Sequence, residues 1–120
     1  MQLNPNASAT SAVVPFSPTA GIAVAVIKAT PGNLFGITVC NQVAAVTYLQ
    51  FFNATATPTL GTSVLFSIPI PAGAGTGTLI IPPSAFALAN FSAGIAIGAA
   101  TTATGSTAPA TAPTGTIFYL

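Results

Sequence analysis

The sequence predicts an all-β fold, an antiparallel β-sandwich of jelly-roll or immunoglobulin-like type with about seven or eight short strands. Three observations predict it. Short apolar runs alternate in parity along most of the chain, as half-buried strands do. Gly and Pro, 11 of each in 120 residues, interrupt those runs too often for long helices. No segment carries an apolar stripe of period about 3.6 with capping residues at its ends.

Residues 1–19 hold Pro5, Pro15 and Pro18 among Asn, Ser, Ala and Thr. They read as an extended N-terminal arm, with Val13, Val14 and Phe16 as an apolar cluster. The arm is either a tie to a neighbouring subunit or a loose terminus. The sandwich domain spans 20–120. Its first strand is expected from Ile22 to Ala29, with Ile22, Val24 and Val26 on one parity. Thr30-Pro31-Gly32-Asn33 is a turn, because Pro presets φ and Gly or Asn accepts positive φ. A strand follows from Leu34 to Asn41, with Phe35, Ile37 and Val39 in register, and 42–45 connects it onward. Val46 to Asn53 carries β-formers on both faces.

Residues 54–61, rich in Thr and Pro, form a loop. Ser63 to Ile70 alternates through Val64, Phe66 and Ile68, and Pro69 marks its end as an edge or bulge. Gly73, Gly75 and Gly77 make a flexible hairpin turn, followed by a short strand from Thr78 to Ile81 that Pro82-Pro83 stops. Phe86 and Leu88 suggest a brief turn or helix. Ser92 to Ala100 alternates through Ile95 and Ile97. Residues 101–114 are a small-residue loop, and Gly115 to Leu120 closes the chain as a strand. The inner faces are expected to carry Val24, Phe35, Ile37, Val39, Tyr48, Phe66, Ile68, Ile95 and Ile97.

Composition then bounds function. The chain has no Asp, Glu, His or Trp, and Lys28 is its one charged side chain. General acid–base catalysis needs a group that titrates near the working pH. Divalent metals need carboxylates, imidazoles or several thiolates. Nucleic acid needs several Lys or Arg contacts to phosphate. The sequence therefore predicts no catalytic residue, no metal or cofactor site and no nucleic-acid partner. Gly73-Ala74-Gly75-Thr76-Gly77 lacks the Lys and following helix of a phosphate-binding loop. Ser and Thr are plentiful, but a Ser nucleophile without a nearby base is inert.

Cys40, alone in the chain, makes no intramolecular disulfide and reads as a small buried hydrophobe. Lys28, near a strand end, is a solvated charge or a contact to a partner subunit or chain end. Tyr48 and Tyr119 read as core or interface aromatics with hydroxyls at the rim. Residues 1–11 lack a basic region, so no signal peptide is expected. The most apolar window, Ser84 to Ala100, is shorter than a spanning helix needs and contains Asn90, Ser92, Gly94 and Gly98. No membrane partner is expected. The sequons at Asn6, Asn53 and Asn90 carry no weight in a chain so rich in Asn, Ser and Thr.

With Lys28 as its one charged side chain, the outer surface must consist almost wholly of hydroxyls, amides, small apolar groups and backbone. Removing such groups from water costs far less than removing an ion. The surface is therefore suited to being covered by neighbours.

One pattern resembles a known class. It comprises Gly32-Asn33-Leu34-Phe35-Gly36-Ile37-Thr38-Val39, then Asn41, then Tyr48-Leu49-Gln50-Phe51-Phe52-Asn53. It continues through Pro58, Gly61-Thr62, Ile68-Pro69-Ile70-Pro71, Phe91-Ser92-Ala93-Gly94-Ile95 and Thr101-Thr102. From Lys28 to Leu120 the chain resembles small β-sandwich virion proteins of tailed bacteriophages, the head decoration (cement) and head-fibre type. The resemblance implies a virion location on the capsid surface after synthesis in the host cytoplasm. It implies the major capsid protein as partner, and a homo-oligomer, trimer ahead of dimer. A tail or head fibre module that binds a receptor or glycan, and a self-assembling surface-layer or filament subunit, are the alternatives.

Overall fold

The computed structural model describes the backbone of residues 13–16 and all of residues 24–120. Among these residues nine strands form two antiparallel sheets. In chain order they are β1 (Val13–Phe16), β2 (Val24–Lys28), β3 (Gly32–Asn41), β4 (Thr47–Asn53) and β5 (Phe66–Ile70). Then come β6 (Gly77–Ile81), β7 (Ala89–Phe91), β8 (Ile95–Ala100) and β9 (Thr114–Tyr119). The first sheet runs β1-β9-β3-β6, with β7 also on β3, and the second runs β2-β8-β4-β5. Leu34 pairs with Tyr119 of β9 on one side and Ala89 of β7 on the other. Thus β6 and β7 lie along the same side of β3.

The pairing is nested: β4 with β5, β3 with β6, β2 with β8 and β1 with β9. The chain is one long ribbon rolled into two layers, closed by the β3–β9 and β4–β8 pairs. That order is a jelly roll, so of the two sandwich topologies open to the sequence the immunoglobulin one is set aside. Among the described residues no helix is long and apolar enough to cross a membrane. Of the segment read as an arm, residues 13–16 add a strand to the first sheet, with Val13 opposite Phe118. The rest of that segment lies outside the described residues.

Both sheets contribute to one core. Leu34, Ile37, Val39, Phe91 and Ile117 face Leu49, Phe51, Ile70, Ile95 and Ile97 across the gap. Phe51 stacks on Phe66 at 4.7 Å between ring centroids, and Phe91 tilts against both at 6.3 and 6.2 Å. Such aromatic pairs add to the burial of the rings themselves.

Three strands depart from the expected parity. In β4 it is Leu49 and Phe51 that face the core, while Tyr48 is half-buried on the opposite side. In β2 the residues packed on the core are Ala25 and Ile27, not Val24. In β3 the register shifts between Leu34 and Gly36. The extra residue puts Leu34 into the core with Ile37 and Val39, and leaves Phe35 buried outside that cluster. Ile37, Val39, Ile95 and Ile97 are core residues as expected, and Phe66 and Ile68 pack against the core from the edge strand β5. Pro69 is tolerated there because β5 has only β4 beside it.

Two further expectations are corrected. The Gly-rich segment after Pro71 is not a hairpin turn, since β5 and β6 belong to different sheets. It carries the chain across the sandwich, held by Ala74 N–H donating to Val43 O at 2.9 Å. The stretch around Phe86 and Leu88 contains no helix but leads into the short strand β7. Gly36 lets this stretch pass closely, since a Cβ there would lie 2.8 Å from the Ile81 carbonyl oxygen and from Pro83 N.

Candidate interaction surface

The two outer faces of the sandwich differ in kind. On the second sheet, the outward residues of β4 and β8 are covered. Gln50 and Ala100 are fully buried, Phe52 is 2% exposed and Ala96 is fully buried. Two loops, 54–65 and 101–107, close over them, and Gln50 holds both. Its Nε2 donates to Ala103 O at 3.2 Å and Gly105 O at 2.9 Å, and its Oε1 accepts from Gly61 N–H at 3.0 Å. The small outward residues Ala96, Gly98 and Ala100 leave room for this cover.

On the first sheet the outward positions are the alternates of Ile37, Val39, Leu79, Ile81 and Ile117. Register aligns them in two cross-strand rows. Thr116 of β9, Thr38 of β3 and Ile80 of β6 form one row. Thr114, Cys40 and Thr78 form the other. None of the six is buried, and Thr78 and Ile80 are exposed. Five of them are β-branched, so their rotamers are restricted by the strand and little side-chain freedom remains to be lost on contact.

Beside this face runs the β6–β7 edge. Ile80 is 63% exposed, Phe86 70% and Leu88 47%. Three of the large apolar side chains open to water thus gather along one side of one sheet. An exposed apolar edge of this kind is a template for pairing with another chain.

The residues singled out in the sequence fall as follows. Cys40 is half-buried on the outer face rather than a core residue, with Sγ 3.1 Å from the Gly75 carbonyl oxygen. Its parity, opposite to Val39, decides this. Lys28 ends β2 in the second sheet, where its stem lies against Gly32 beside the Leu120 carbonyl. It is therefore remote from the Thr rows. Tyr119 packs against the core. No group of three or more metal-binding side chains occurs among the described residues.

Two buried amides escaped the sequence reading, Gln50 and Asn41. The signal for each was a polar residue inside an apolar run, Leu49-Gln50-Phe51 and Val39-Cys40-Asn41. Buried side-chain polar atoms left without partners would be costly, and among the described residues there are none.

Electrostatics follow from composition. The chain has no carboxylate or imidazole side chain, the types that ordinarily titrate between about pH 4 and pH 7. Side chains of these types therefore add nothing to the linkage slope. The unfolding free energy from urea titrations is expected to stay constant within about 0.5 kcal/mol across that window. A steeper trend would show that other groups, such as the chain ends, change their protonation on folding.

No family model, curated protein or solved structure matches this chain. Fold and surface therefore define the class by themselves: a jelly-roll sandwich with a single charged side chain, one outer face closed by its own loops and the other, among the described residues, left partly open.

Proposed function

We propose that this chain is a non-catalytic structural subunit, and within that class a capsid decoration (cement) protein of a tailed-phage head. The observation that carries the reading is the Thr face of the first sheet, ion-free and partly open among the described residues and flanked by Ile80, Phe86 and Leu88. Hydroxyls and methyls on rigid strands can be desolvated at modest cost and can hydrogen bond to a neighbour. Burying ions would cost more unless each were paired. The closed second sheet gives the subunit a rigid back. A specific contact needs about 800 Å² on each partner, so the edge residues Ile80, Phe86 and Leu88 must join the Thr face in it. The partners are other copies, as a trimer ahead of a dimer, and the major capsid protein of the shell on which many copies share the load.

Two measurements test this. The chain is expected at capsid-scale copy number in purified particles by quantitative mass spectrometry; a handful of copies per particle, or none, overturns the cement reading. Ile80→Lys is expected to unfold within about 0.5 kcal/mol of the parent, as for other exposed sites. Its occupancy on particles should nonetheless fall about tenfold or more, because each copy then buries an unpaired ammonium. Full occupancy by a folded Ile80→Lys chain would remove the Thr face from the contact.

A further inference from the structure

Next to the closed second sheet lies a cleft of about 410 Å³ between the end of β4 and the arch of residues 54–63. Phe52 and Asn53 line it from β4, and Thr55, Thr57, Thr59, Thr62 and Ser63 line it from the arch. All five hydroxyl residues are exposed. Between them the walls are carbon, from alanines and Pro58. The volume lies within the range of about 300–1,000 Å³ usual for small-molecule sites.

The arch is held rather than loose. Ala54 N–H donates to Gly94 O at 3.1 Å at its start, and Leu65 N–H donates to Phe51 O at 2.8 Å just past its end. Between them Gly61 is fixed to Gln50. Gly61 takes φ +76°, and a Cβ there would meet the 104–105 backbone at 2.9–3.0 Å. Ser63, on the cleft wall, sits at φ 56°, a left-handed conformation that a serine adopts at some cost. The backbone of the arch is thus anchored at Ala54, Gly61 and Leu65 before any ligand arrives, which lowers the ordering cost of binding.

We propose that this cleft binds a neutral saccharide. The walls offer donors and acceptors but no ion, so they cannot compensate a charged ligand for lost hydration. Alternating hydroxyl and carbon suits a molecule that alternates the same way, with ring hydroxyls at the edge and C–H groups on the face. A pyranose ring has that pattern. The site is independent of the Thr face, being part of the other sheet's cover, so it adds a ligand to the assembly reading without depending on it.

The test uses the whole chain with maltotriose, chitotriose, lactose and the acidic 3′-sialyllactose as probes in saturation-transfer NMR. Transfer to at least one neutral probe is expected, unchanged in about 0.5 M salt because no ion pair is involved. The double variant Thr57→Val, Thr59→Val keeps shape and removes two hydroxyls. It should weaken that binding about tenfold while its urea midpoint stays that of the parent. A second variant, Ala56→Trp, should fill the cleft and abolish transfer. No transfer to any neutral probe, binding of the acidic probe alone, or transfer indifferent to both variants would overturn the proposal.

Discussion

Asn41→Leu is expected to lower the unfolding free energy by roughly 3–5 kcal/mol, a large part of the total of about 5–15 kcal/mol usual for a domain. Asn41 ends β3 and is fully buried. Its Nδ2 donates to Ala45 O at 2.8 Å and Pro71 O at 3.1 Å, with Ile70 O further away at 3.4 Å. Its Oδ1 accepts from Val43 N–H at 3.0 Å and from the Thr47 hydroxyl at 3.1 Å. One amide thus ties the β3–β4 connection to the end of β5, bridging the two sheets. Leucine of similar size leaves these groups unpaired at about 1–3 kcal/mol each, partly offset by its own burial. Urea denaturation of parent and variant measures the loss, and a change under about 1 kcal/mol would mean that water replaces the amide.

Asn41→Asp separates the donor role from the acceptor role. The carboxylate keeps an acceptor for Val43 and Thr47 but faces the Ala45 and Pro71 carbonyls with no proton to give. Burial and those carbonyls favour the neutral acid, so its folded pKa should rise above the unfolded value of about 3.9. Stability is then greatest at low pH and is lost as pH rises through the raised pKa. The parent's flat profile makes this slope directly readable.

Much of the fold was legible because alternation survives wherever one face of a strand is wet. In β5 one face is open, and in β8 the covered outer face is filled only by Ala96, Gly98 and Ala100, so in both the large apolar residues fall on one parity, and Phe66, Ile68, Ile95 and Ile97 were placed correctly. Legibility failed where both faces are covered. Tyr48-Leu49-Gln50-Phe51-Phe52 offers no polar alternation to choose a side, because loops 54–65 and 101–107 bury its outer half as well. In β2 Val24 and Ala25 differ too little in hydropathy to decide. In β3 one bulge at Phe35 reverses the parity that residues 37–41 imply. Strand β7 is only three residues long, too short for any period to show. The Thr face was illegible for another reason. Thr38 and Thr116 are far apart in sequence, and only the β3–β9 register brings them together.

Gln50→Leu should act on the loops before it acts on the fold. Leucine nearly matches glutamine in volume, so the packing of β4 changes little. What remains is the loss of partners for Gly61 N–H, Ala103 O and Gly105 O, about 3 kcal/mol in sum if loops stay closed. The loops have a cheaper response, which is to open and let water satisfy those groups. Their local opening free energy should therefore fall by more than the global value. Amide exchange at Gly61 is expected to accelerate about a hundredfold, and limited proteolysis should cut first within 54–65 or 101–107. Core amides of β3 and β9 should exchange within about threefold of the parent. Opening the loops also exposes Phe52, Ala96 and Ala100, turning the closed face of the sandwich into a second apolar surface prone to association. If Gly61 keeps its protection in Gln50→Leu, the loops are held by their own backbone contacts. The rigid back of the subunit would then owe nothing to the buried amide.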